Sequence, residues 1–191
     1  MTTLVDQRSE YQYKTGTNRL GLWLFIFSDT FVFAGLLVSR FYLLGRTRPD
    51  VNPLLGLIVT SILLLSSFFM NRAETSIRFG DQKGFLNGTL ATIVLGIMFL
   101  IGVVGVEWQI APFSAGDNAA ASIFYTMTGF HAFHVLTGVL LLIIVYRKGR
   151  KGIYTAERHW AVEAGAIYWH FVDVVWVFFY PALYLMGHVA G

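Results

Sequence analysis

Six ionisable residues sit in stretches otherwise too apolar to carry charge: Asp29, His131, His134, Glu163, His170 and Asp173. An Asp, Lys or Arg at the centre of a bilayer-spanning helix costs about 2.5 to 3.5 kcal/mol on the insertion scale, so each such group needs a physical reason. Asp29 stands between Ser28 and Thr30, about ten residues into its apolar stretch. It is either a carboxyl hydrogen-bonded to a neighbouring helix or a group concerned with proton or lipid handling. His131 and His134, three residues apart, share a helix face with Gly138. Glu163, His170 and Asp173 fall on one stripe, since seven residues make nearly two turns and three more add less than one.

Two imidazoles from one helix and an imidazole with carboxylates from another have the chemistry to hold a metal, and an axial His could bind haem. Structural hydrogen bonds between packed membrane helices use the same residue types, and that reading assigns the chain neither a metal nor a catalytic residue. The chain has five His, two of them, His159 and His188, outside these stripes, which is too few for a His-rich di-iron enzyme. The absence of Cys excludes disulfides, thiolate metal sites, iron-sulfur clusters and covalent c-type haem attachment. Glu107 and Trp108 read as an interfacial anchor at the end of an apolar run. Gly96, Gly102 and Gly105, and likewise Ser61, Ser66 and Ser67, read as small residues that let helices approach.

The elements that must position these residues follow from composition and length. Of 191 residues 55% are hydrophobic, 16% aromatic and only 13% charged, against about 25% charged in soluble domains. Since about 20 apolar residues cross a bilayer as a helix, the chain divides into spans at about 20–44, 54–70, 84–106, 119–146 and 162–186. The runs lack the alternation of barrel strands, so the fold class is all-α: one five-helix transmembrane domain over 20–191, after a polar segment over 1–19. That segment holds no apolar core of signal-peptide length. The connectors carry turn residues, Pro49, Asp50, Asn52 and Pro53 in one, Pro112, Gly116 and Asp117 in another.

Basic residues give the orientation. Arg8, Lys14, Arg19, Arg72, Arg78, Lys83, Arg147, Lys148, Arg150, Lys151 and Arg158 fall on one side of alternating spans, eleven of the fourteen Lys and Arg. Arg40, Arg46 and Arg48 remain on the other side. The positive-inside rule then places the N-terminus in the cytoplasm and the C-terminus outside. Because the positive charge is spread over short loops and forms no face, nucleic acid is not an expected partner.

At these positions the sequence resembles the subunit III family of haem-copper terminal oxidases. Thr128-Gly-Phe-His131-Ala-Phe-His134-Val, followed by Gly138, resembles the family's Thr-Gly-Phe-His-Gly-x-His-Val-x-x-Gly segment, and Tyr168-Trp-His170-Phe-Val-Asp173-Val-Val-Trp176 its C-terminal signature. Trp23 to Phe33 resembles the family helix with an embedded acid, and Leu63-Leu-Leu-Ser66-Ser67 and Glu107-Trp108 match weaker segments. There are departures: Asp29 stands where Glu is common, Ala132 where Gly is frequent, and Val104 where Gln often precedes the Glu. The resemblance is to a five-span form, in which the two further N-terminal helices of seven-span members, which help form a lipid-holding cleft, are not expected.

The resemblance implies a redox-inactive subunit of a bacterial cytoplasmic-membrane oxidase that reduces dioxygen to water and pumps protons. It would pack directly on subunit I, alongside subunit II and small subunits. Haem and copper would lie in those partners, with phospholipid bound to this chain and Asp29 near proton uptake. Cytochrome c is the expected donor, with quinol oxidase subunit III or a nitric-oxide-reductase accessory protein as alternatives. Two readings from other classes are a small proton transporter using Asp29, His134, His170 and Asp173, and a haem- or metal-binding membrane protein using His131, His134 and His170.

Overall fold

A computed structural model describes the backbone of residues 4–189 and the side chains of Tyr11 and residues 13–189. Five helices are long and apolar enough to cross a membrane. We label them α1 (Leu4–Leu44), α2 (Pro53–Arg78), α3 (Gln82–Ile110), α4 (Ala119–Gly149) and α5 (Trp160–Leu185). Local chemistry sets several starts. Asn52 accepts from the amides of Leu54 and Leu55 at 2.9 and 3.3 Å ahead of Pro53, while Asp81 and Asn118 cap α3 and α4 through Gly84 and Ala121. The short turn from α2 to α3 needs the left-handed backbone of Gly80, φ 78°.

The helices run further than hydropathy alone indicates. α1 continues through the polar segment expected to stand apart at 1–19, from residue 4 onward. Arg19 holds that extension by pairing with Glu163 at 2.8 Å and lying over Trp160 at 5.2 Å. α2 ends at Arg78, eight residues beyond the expected 70, because Ala73 and Ile77 continue its buried stripe at a spacing of four. Above them Gly88 of α3 packs so close to Ala73 that a Cβ there would lie 2.9 Å from it.

Contacts fix the two ends of the bundle. At one, Gln82 Nε2 donates to the Gly149 carbonyl at 2.6 Å and Phe85 meets Tyr154. At the other, Thr47–Arg48 and His188–Val189 form a short parallel ladder, β1 and β2. There Arg40, fully buried, donates to the carbonyls of Ala182, Gly45, Thr47 and Met186 at 2.6 to 3.0 Å. α5 is central, with 56% of its most apolar window buried, whereas α1 lies against α4 and α5 with 11% buried. Two helices change pitch near this second end: Ile101–Glu107 of α3 and Pro181–Leu185 of α5 are π-helical.

Candidate functional site

The intramembrane polar residues do not converge on one centre. On the α1 side, Asp29 Oδ2 lies 3.3 Å from His134 Nε2. His134 Nδ1 is 2.8 Å from the Phe130 carbonyl, which can only accept, so the hydrogen is assigned to that nitrogen. Nε2 faces the carboxyl without hydrogen-bond geometry, and Asp29 Oδ2 has no hydrogen-bond partner among the described residues. Phe33, one turn beyond Asp29, stands edge-on to the His134 ring at 4.9 Å and fixes its plane. Tyr168 donates to the His134 carbonyl at 3.2 Å and shares a 2.8 Å hydrogen bond with Thr137. These groups face a mostly apolar cavity of about 450 Å³ lined also by Leu22, Phe25, Phe133, Leu141 and Ala164.

His131 has a different environment, although it shares a helix with His134. It is fully buried, 4.7 Å from the Trp176 ring and 5.6 Å from Phe99, with no protein partner at either ring nitrogen among the described residues. The expected common face of the two imidazoles is therefore divided between α5 and α1.

The stripe on α5 divides too. Glu163 pairs with Arg19 at the helix start, while His170 and Asp173 face α2. His170 Nδ1 is 2.7 Å from Ser67 Oγ, and Asp173 Oδ2 is 3.9 Å from the same nitrogen. Trp169 donates to Ser66 Oγ at 3.0 Å and Trp176 to Thr60 Oγ1 at 2.9 Å. Ser66 and Ser67, read from sequence as small packing residues only, thus receive the polar tips of α5. Gly96 and Gly138 act as expected of small residues: a Cβ on them would lie 2.6 and 3.0 Å from the Trp169 ring. Among the described residues no group of three His, Asp or Glu side chains is placed to hold a metal ion.

Glu107, expected to anchor at the interface, turns inward and is 2% exposed. In an α-helix Glu107 would drift roughly 80° round from Phe99, eight positions earlier. The wider π turns return it to the buried face. Its Oε2 accepts from Tyr184 at 2.7 Å, and no protein donor reaches Oε1. Trp108 is half-buried nearer the loops and donates to Thr128 at 3.1 Å. Sequence reasoning missed Tyr184, which carried no signal, and Arg40, which did: it lies inside the span expected at 20–44 and was assigned only to a charge balance.

Comparison with known proteins covers nearly all of this structure. The family model described as cytochrome c oxidase subunit III matches residues 8–188. The chain is 36% identical over 182 residues to cytochrome c oxidase subunit 3 of Dasypus novemcinctus, covering 88% of this chain and 69% of that protein. The same-named protein of Bos taurus is 35% identical over 182 residues, with the same coverages. That of Thermostichus vulcanus is 34% identical over 174 residues, covering 87% of this chain and 86% of the relative.

Proposed function

The chain belongs to the cytochrome c oxidase subunit III family and is subunit III of a haem-copper oxidase, and from that premise we propose that it is the redox-inactive subunit that stabilises the catalytic subunit I and supports its proton uptake near Asp29. It is a multi-pass membrane component of a respiratory oxidase complex. In this reading subunit I packs directly on it, subunit II and small subunits complete the assembly, and haem and copper lie in those partners. Cytochrome c is the donor, and the membrane is the bacterial cytoplasmic one, with the basic loops inside.

The observation that carries the proposal is the Asp29–His134 contact. It sits on α1, the least covered helix, so a partner or lipid at that face lies within reach of a carboxyl oxygen that no protein donor satisfies among the described residues. The cavity beside the pair, mostly apolar and with few polar groups, suits a phospholipid acyl chain. The separation of His131, His134 and His170 onto three different surroundings favours structural and proton-handling roles over a haem or metal site.

Asp29→Asn in the assembled complex tests the reading, because it keeps the shape and replaces the carboxyl by a group that is not an acid. The expected result is a several-fold loss of proton-uptake rate or of lifetime during turnover, with the haem spectrum of the complex unchanged. Wild-type uptake and lifetime in the variant would refute the role given to Asp29.

A further inference from the structure

The two π-helical segments meet at one pair of side chains. Glu107 closes the segment in α3 and Tyr184 lies in the segment in α5, and the phenol donates to Oε2 at 2.7 Å. π turns are rare and appear mostly where a helix presents a functional group. The backbone nearby is fitted to the same pair: a Cβ on Gly56 of α2 would lie 2.6 Å from the Tyr184 ring, so only glycine leaves the phenol its place. Tyr180 stacks beneath at 5.3 Å.

Glu107 also lines a cavity of about 460 Å³ with Arg48, Asp50, Asn52, Leu55 and Ile110, at the end of the bundle where the α1–α2 and α3–α4 connectors lie. The carboxyl is thus 2% exposed yet borders a space lined by both connectors, mostly apolar but carrying Arg48, Asp50 and Asn52, and its Oε1 has no protein donor among the described residues. Leaving such an oxygen dry would carry a desolvation cost, whereas water held in the cavity by Arg48, Asp50 and Asn52 removes it.

We propose that Glu107, held by Tyr184, is a proton-exchange site that opens through this cavity to the aqueous phase at the connector end, distinct from Asp29 on the other face of the bundle. In the exchange an O–H bond of hydronium in the cavity breaks as one forms at Oε1. The carboxyl becomes neutral and the reverse step returns the proton to water. Throughout, Tyr184 keeps its own proton and its bond to Oε2. The charged or titratable groups around the carboxyl are Tyr184 from α5, with Tyr180 behind it, and Arg48 and Asp50 from the connector. α2 adds Leu55 and Gly56, which do not titrate, and Tyr125 of α4 is engaged with the Trp108 and Phe113 carbonyls. Arg48 at the cavity wall repels a resident metal cation and favours the ionised form of the carboxyl between exchanges.

Infrared titration of the purified complex in H₂O and D₂O tests this. The expected result is a carboxylic C=O band that titrates, shifts on exchange into D₂O, and is lost in Glu107→Gln, one titrating carboxyl fewer than wild type. Tyr184→Phe, which keeps the carboxyl and removes its hydrogen bond, should move the frequency and midpoint of that band, so the test survives poor assembly of the first variant. Asp50→Asn should leave the band in place. A band set identical in Glu107→Gln and wild type overturns the proposal, as does a Glu107 band that fails to exchange. Displacement of the Glu107 band by added Na⁺ or Ca²⁺ at constant pH would overturn it in favour of a cation site.

Discussion

Asp173 and His170 lie less than one turn apart on α5, and what separates them is burial: the carboxyl side chain is 4% exposed, the imidazole 36%. Neither oxygen of the buried Asp173 carboxyl has a hydrogen-bond partner among the described residues, so Asp173→Ala strands no donor and should be neutral or slightly stabilising. His170→Ala should cost more than Asp173→Ala, about 0.5 to 1.5 kcal/mol, because it removes the hydrogen bond to Ser67. Thermal inactivation of the two purified variants gives the order, and equal losses would show that the Ser67 hydrogen bond does not set it. The residue types were legible from sequence because acids and imidazoles in apolar runs are conspicuous. Their partners were not, since Ser66, Ser67 and Thr60 are ordinary membrane-helix residues until the α5 side chains that reach them are located.

For helices, the informative feature is the seat of Trp169 between Gly96 of α3 and Gly138 of α4. Gly96→Ala would force a methyl to 2.6 Å from the indole and should cost about 1 to 3 kcal/mol, the usual penalty of overpacking. Gly105→Ala, whose Cβ would meet only Ile101 of its own helix at 3.6 Å, is the internal control and should be neutral or slightly stabilising. Melting of both variants in one detergent separates packing from propensity; equal shifts would remove the packing explanation. Helix number and type followed from length and hydropathy, which the bilayer imposes. Helix ends did not, because α1 and α2 continue into polar sequence on the strength of local contacts such as Arg19 with Glu163. The inward turn of Glu107 was equally hidden, as it depends on a pitch change that a 3.6-residue period cannot express.

At the scale of the molecule, alternation of five spans brings eleven of fourteen basic residues to one end. Impermeant thiol reagents on single cysteines introduced at Lys151 and at His188 should label from opposite sides of sealed vesicles, Lys151 from the cytoplasmic side. Labelling of both from one side would refute the topology. The family was also readable from the motifs around His131, His134, His170 and Asp173, although the structure shows those motifs to mark three local arrangements rather than one centre.

The carbonyl cage of Arg40 has a consequence for biogenesis. Two of its four acceptors, Ala182 and Met186, are made more than a hundred residues later than the guanidinium they satisfy. A ribosome halted anywhere before α5 leaves that cation in the membrane with half its ligands missing. α1 is therefore latched only once α5 has been made, and a chain truncated before Ala182 leaves the Arg40 guanidinium with the Gly45 and Thr47 carbonyls alone.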